Sequence, residues 1–184
     1  MDSSNPSEKR PTAASRAARL LRRACLATGF RRQAAGDTGA LREILARIPH
    51  REPFLFVERV LERSERAILT EWTVPADSWF LRGHYPRNPI LPGVIASEFV
   101  FQSAALLVCH PDSEAARDGA LPVLTSIREA RFKRIVRPGQ TIRAHVALEQ
   151  RLGPAHYMRA RVTTAAGETV LRLEFVVALG GAEG

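Results

Sequence analysis

An α+β fold, with one apolar helix wrapped by an antiparallel sheet, is the architecture this sequence predicts. Three observations carry it. The run Val94–Val108 is apolar nearly all round, interrupted only by Ser97, Glu98, Gln102 and Ser103, and at that length it is a buried helix rather than a strand. Beyond it, several segments alternate apolar and polar with period two, the pattern of strands with one buried face. The chain has 184 residues, 45% of them apolar, enough for one domain with a real core. One such helix and such strands bury their apolar faces when the sheet closes around the helix.

Residues 1–40 stand apart. They carry eight basic and three acidic side chains, a net +5, against nineteen and sixteen, a net +3, over residues 41–184. They open polar and small, then turn Arg-rich over Ala13–Ala27, and read as a disordered basic extension ahead of a domain over 41–184. The extension lacks the apolar stretch of a secretory signal. Its Arg and Ala content is like that of an organelle transit peptide, but Asp2 and Glu8 oppose that reading. A nucleic-acid or membrane-surface tail is a further use of such charge, and a solvated tail is the plain one.

The domain's elements follow in order. Leu41, Ile44, Leu45 and Ile48 share a helix face, and Pro49 ends it. Pro53–Arg63 and Arg66–Val74 read as two strands joined by a polar turn near Arg63–Glu65. A Gly/Pro-bounded loop leads to Pro92, at the start of the long helix, and His110-Pro111 closes it. After a loop over residues 111–122, Thr141–Gln150 puts Ile142, Ala144, Val146 and Leu148 on one face and Arg143, His145 and Glu149 on the other. His156–Thr164 follows, with a turn at Ala166-Gly167, and Thr169–Leu179 repeats the pattern with Leu171, Leu173, Phe175 and Val177. His145 and His156 read as surface strand residues, and His50 as a structural loop histidine.

No apolar run approaches the roughly 20 residues of a membrane helix, so a soluble, cytoplasmic protein is expected. Cys25 and Cys109 fit no disulfide framework and no metal pattern, and Cys109 reads as a buried thiol. No metal and no cofactor are expected.

The segment RGHYPRNPILPGVIASEFVFQ, Arg82–Gln102, holds the candidate chemistry. An ionised carboxylate inside an apolar helix costs several kcal/mol unless it is paired, so Glu98 needs an explanation. Gly93 marks the helix N-terminus, whose free N–H groups and positive dipole end suit a carbonyl oxygen that becomes negative. Gln102 lies four residues after Glu98 on the same face and can orient it. His84 sits in the loop before the helix. A base, an acid and an oxyanion site would suit removal of a proton α to a carbonyl with departure of a β-hydroxyl. A structural histidine and a glutamate paired with a distant arginine explain the same residues, and chemistry alone leaves both readings open.

Three blocks add to this: IPHREPFLFVERV (Ile48–Val60), GHYPRNPILPGVIASEFVFQSA (Gly83–Ala104) and ARFKRIVRPGQ (Ala130–Gln140). In this order they resemble the 3-hydroxyacyl-[acyl-carrier-protein] dehydratases of the FabZ type, from about Leu41 to Leu179. The resemblance implies a hot-dog fold, and a site at a dimer interface with His84 and Glu98 from different subunits. It also implies His84 as base, Glu98 as acid, Gly93 N–H on the thioester carbonyl and Gln102 as the orienting amide. Glutamate rather than aspartate at position 98 is similar to the plain dehydratases, not to the dehydratase/isomerase branch. Tyr85, Pro92, Val94 and Val123 are the implied acyl-tunnel residues, Val123 standing where the family often has a gating tyrosine. Arg87, Asn88 and Arg128 also depart from the family pattern. Arg128, Arg131, Lys133, Arg134 and Arg137 form a basic stripe where the resemblance implies docking of an acidic acyl carrier protein.

The implied reaction is loss of water from a 3-hydroxyacyl thioester to give the trans-2-enoyl thioester, in fatty-acid or polyketide and polyene assembly. The implied assembly is a homodimer or trimer of dimers, or a heterodimer with a related subunit. A hot-dog thioesterase and a non-catalytic acyl-binding subunit or regulator are the competing functions. No nucleic-acid partner is expected, since the basic N-terminus is too short and too Gly-interrupted for a helix-turn-helix.

Overall fold

The apolar run forms helix α1, Gly93–Val108, in the computed structural model, which describes residues 31–32, 42, 44–109 and 120–180. Pro92 is its N-cap, and the helix buries Ile95, Phe99, Val100 and Leu106 among others. The sheet around it comprises β1 (Arg31–Arg32), β2 (Arg59–Arg63), β3 (Ala67–Thr73), β4 (Leu121–Phe132), β5 (Thr141–Leu152), β6 (Ala155–Thr164) and β7 (Thr169–Gly180). Neighbours run β1-β2-β3-β5-β6-β7-β4, every pair antiparallel. The chain therefore leaves β3, passes through α1 and re-enters the sheet at its far edge in β4. That crossing lays α1 over the sheet, where it touches β3, β4, β5, β6 and β7. This is the expected hot-dog arrangement.

The core sits between helix and sheet. Ile142, Ala144 and Val146 of β5, Val162 of β6 and Leu171, Leu173 and Phe175 of β7 are buried on the inner face. Phe56, Trp72, Phe80 and Phe99 close one end as a ring cluster, with centroids 5.1–6.5 Å apart. The polar interruptions of α1 are all satisfied. Ser97 Oγ donates to Gly93 O at 3.0 Å, and Ser103 Oγ donates to Phe99 O at 2.7 Å and shares a 2.7 Å bond with Thr70 Oγ1 of β3. Glu71 is 5% exposed and is held by Arg59 Nη2 at 2.6 Å and Arg143 Nε at 2.7 Å.

Three sequence expectations change. Residues 54–57 are buried at Leu55, Phe56 and Val57 but form no strand. The Phe56 N–H is taken by a side chain of α1 instead, and β2 begins only at Arg59. His156 is 4% exposed, not a surface residue, because it shares the inward phase of Met158, Ala160 and Val162. Its Nδ1 bonds Pro154 O at 3.0 Å. His145, on the opposite face from Val146, is half-buried. Arg31–Arg32, inside the expected extension, pairs with Glu62 and Arg63. The rest of residues 1–40 and most of the loop after α1 lie outside the described residues. Where the first helix was expected, residues 44–47 are helical, with Ile44 and Ile48 buried.

β4 was not anticipated as a strand. It is twelve residues long, and Leu121, Val123, Leu124, Ile127 and Phe132 are 37–55% exposed along it. A long apolar edge strand left open is an association surface.

Candidate active site

Helix α1 positions three of the candidates. Its N-terminus has no side-chain cap and no acid in the first turn. Ile95 N–H and Ala96 N–H both reach Pro92 O, and the Gly93 and Val94 N–H groups have no acceptor among the described residues. The Phe132 ring lies against Gly93, so that a Cβ there would stand 2.8 Å from Phe132 Cε1. A methyl there would make the exposed ring shift, and β4 meets the head of the helix at this point.

A turn and a half on, Glu98 presents its carboxyl to a small network. Gln102, fully buried, donates from Nε2 to Glu98 Oε1 at 3.0 Å and to Phe54 O at 3.1 Å. Its Oε1 accepts the Phe56 N–H at 2.8 Å. With those three bonds the amide is fixed, and it fixes Glu98 in turn. Burial pushes the Glu98 carboxyl above the usual glutamate range, opposed by the Gln102 bond and by His50. His50 is the residue the sequence reading missed: its Nε2 stands 3.5 Å from Glu98 Oε1. Burial lowers its pKa, outweighing the opposite pull of the Glu98 charge.

His84 is half-buried, its backbone N–H on Phe80 O at 3.2 Å. Its ring packs edge-on against Tyr85 with centroids 4.6 Å apart. Tyr85 adopts φ 52°, a left-handed backbone that strains a non-glycine residue and often marks a functional loop. No hydrogen bond or ion pair among the described residues joins His84 to Glu98 of the same chain. The loop after Tyr85 is strapped down by Asn88 N–H on Tyr85 O at 2.8 Å, Leu91 N–H on Val136 O at 2.8 Å and Arg137 Nη1 on Asn88 Oδ1 at 2.7 Å.

Of the tunnel candidates, Pro92 is buried, whereas Tyr85, Val94 and Val123 are 61%, 75% and 52% exposed. None of the four lines the 630 Å³ cavity the chain forms on its own around Phe56, Trp72 and Phe80. The basic stripe is exposed but largely engaged. Arg128 lies over the Tyr157 ring, Arg131 pairs with Glu129, Arg134 with Glu168 at 2.8 Å, and Arg137 holds Asn88. Among the described residues no cluster of three His, Cys, Asp or Glu side chains could hold a metal ion, and no helix is long and apolar enough to cross a membrane.

Residues 48–174 match the model of the FabA-like domain. A 3-hydroxyacyl-[acyl-carrier-protein] dehydratase FabZ of Chloroflexus aggregans is 41% identical over 128 residues, covering 68% of this chain and 86% of that protein. The FabZ of Cupriavidus metallidurans is 37% identical over 145 residues, covering 78% and 95%. Among solved structures, the ApeI:P dehydratase heterocomplex of Xenorhabdus doucetiae superposes with TM-score 0.64 at 18% identity over 76% of this chain and 91% of that one. The Escherichia coli PaaI protein does so with TM-score 0.54 at 15% identity, over 77% and 94%. The structural likenesses establish the fold, and the sequence likenesses the family: the chain belongs to the FabA-like domain family and, within it, to the 3-hydroxyacyl-[acyl-carrier-protein] dehydratases of the FabZ type.

Proposed function

We propose that this chain removes water from a 3-hydroxyacyl thioester carried by an acyl carrier protein, in the cytoplasm, to give the trans-2-enoyl thioester. A ring nitrogen of His84 takes the α-proton, and the electrons of that C–H bond form the α–β double bond as the β C–O bond breaks. Glu98 gives its proton to the departing hydroxyl, which leaves as water. The reaction ends with His84 protonated and Glu98 ionised, and proton exchange with solvent resets both. The Gly93 N–H polarises the thioester carbonyl, at the positive end of α1. The observation that carries this reading is the Glu98 carboxyl itself, half-buried and fixed by Gln102, in a place where burial favours the protonated form an acid requires.

The site is shared between two subunits. His84 and Glu98 make no contact within the chain, and the apolar edge of β4 adjoins the head of α1 through Phe132 and Gly93. Covering that edge with a second copy buries Leu121, Val123, Leu124 and Ile127 and brings a second His84 loop toward each Glu98. Tyr85, Val94 and Val123, exposed in the single chain, then line the acyl path between subunits. The carrier docks on the basic surface around Lys133, with Arg128, Arg131, Arg134 and Arg137 exchanging their exposed internal partners for carrier carboxylates, since such pairs hold only about 0–1 kcal/mol.

Co-expressing His84→Ala with Glu98→Gln tests the arrangement. Each variant alone is inactive. Random pairing makes half the dimers mixed, each with one intact site, so about a quarter of wild-type activity returns. No recovery from verified mixed dimers refutes the shared site.

A further inference from the structure

His50 is fixed by its neighbours. Arg51 Nη1 donates to Ile48 O at 2.7 Å and to His50 O at 2.8 Å, and its Nη2 donates to Leu45 O at 3.0 Å. The segment so clamped aims the ring at α1, with Nε2 3.5 Å from Glu98 Oε1. On the other side of the ring, Nδ1 is buried with no hydrogen-bond partner among the described residues. The two neutral tautomers therefore differ sharply. A proton on Nδ1 strands a donor in the interior, at about 1–3 kcal/mol, and turns the Nε2 lone pair onto the carboxyl oxygen, a repulsion once Glu98 has given up its proton. A proton on Nε2 strands only a lone pair, the more tolerable loss, and points an N–H at Glu98.

We propose that His50 is a positioning residue for Glu98: as the neutral Nε2–H tautomer it shares the carboxyl oxygen with Gln102, holding the group in orientation and stabilising the carboxylate once its proton has left. The inference rests on the acid role of Glu98 given above. The charged and polar groups facing the ring fit it. Glu98 and the Gln102 amide lie on α1, and Arg51, on the loop of His50 itself, disfavours a second proton on the imidazole together with burial. The Glu98 oxygen thus has one bonded donor on α1, Gln102 Nε2 at 3.0 Å, and a second nitrogen 3.5 Å away on the loop ahead of β2, so two elements of one subunit face the acid.

Three variants and one spectrum test this. Glutamine at position 50 carries an amide nitrogen out to the Nε2 place, whereas asparagine reaches only the Nδ1 place. His50→Ala and His50→Asn are expected to lower kcat about tenfold or more at nearly unchanged KM, the scale of one lost bond to a charged group, while His50→Gln recovers most of it. Equal loss in the Gln and Asn variants, or full activity in His50→Ala, overturns the proposal. The tautomer is read independently of turnover, from long-range ¹H–¹⁵N spectra of folded, ¹⁵N-histidine-labelled protein at neutral pH, with His50→Gln to assign the signals. A neutral ring protonated at Nε2 supports the proposal; protonation at Nδ1, or at both nitrogens, overturns it. A wild-type protein without dehydratase activity defeats the parent reading instead, and the spectrum still decides the state of His50.

Discussion

Replacing Gln102 by leucine, a residue of nearly the same volume, cuts the strap between α1 and the segment Phe54–Phe56. Three bonds go at once: Phe56 N–H to Oε1 at 2.8 Å, Nε2 to Phe54 O at 3.1 Å and Nε2 to Glu98 Oε1 at 3.0 Å. Phe56 is 2% exposed and Gln102 fully buried, so the orphaned Phe56 N–H bears its whole desolvation penalty, while Phe54 O, nearer the surface, regains part of its loss from water. One such buried orphan costs about 1–3 kcal/mol, and the set comes to about 2–4 kcal/mol because the leucine leaves no cavity. Against a total stability of about 5–15 kcal/mol this is a large fraction. For a chain of this size it lowers Tm by roughly 5–15 °C. Thermal and urea unfolding, followed by circular dichroism at fixed protomer concentration, measures it. Gln102→Glu is the companion variant: it keeps an acceptor for Phe56 N–H, loses both donors and sets a second carboxyl beside Glu98. A Gln102→Leu protein within about 0.5 kcal/mol of wild type, with unchanged m-value, refutes the strap.

Burial raises the Glu98 pKa in the folded chain, so the contribution of this group to stability is complete below the usual glutamate range, about 4.3, and is lost as pH rises through the folded value. Glu98→Gln cannot ionise; its Tm advantage over wild type therefore grows with pH above that range and levels off beyond the folded pKa, and an advantage independent of pH contradicts the assignment. Gly93→Ala sets a methyl 2.8 Å from Phe132 Cε1, so the half-exposed ring must shift and stability falls, by at most about 1–3 kcal/mol. The Gly93→Ala/Phe132→Ala pair is then expected to show a favourable coupling in a double-mutant cycle of unfolding free energies, and strict additivity means the ring does not guard that site. Charges at Leu124 or Ile127 on β4, as Leu124→Glu or Ile127→Lys, turn the assembly into monomers by analytical ultracentrifugation and abolish turnover; an intact dimer with normal activity moves the interface elsewhere.

Helix α1 was legible because fifteen residues of nearly unbroken apolar character have few other structures open to them. The strands β5, β6 and β7 were legible from their period-two faces, although His156 shows that the phase must be followed to the end of the strand: it has the parity of Met158 and Ala160, hence of the core. β4 was hidden for two physical reasons. Register shifts between Leu124 and Ser126 and between Ile127 and Glu129 break its alternation. Its apolar residues are also exposed in the single chain, so no core face sorts them from the rest. Phe54–Val57 reads as a strand in pattern, but its N–H at Phe56 finds a side chain 46 residues away rather than a neighbouring strand. At the site, Gly93, Glu98 and Gln102 were readable because one helix carries them at fixed spacing. His50 was not, since its approach to Glu98 spans 48 positions of sequence and exists only once the loop clamped by Arg51 meets α1.

The most direct test is mass spectrometry of purified protein incubated with 3-hydroxybutyryl- and 3-hydroxydecanoyl-carrier protein, with His84→Ala run beside it. Loss of one water from at least one substrate is expected, with loss of several orders of magnitude of that rate in the variant and the fold unchanged by circular dichroism. Dehydration by His84→Ala at the wild-type rate contradicts this expectation.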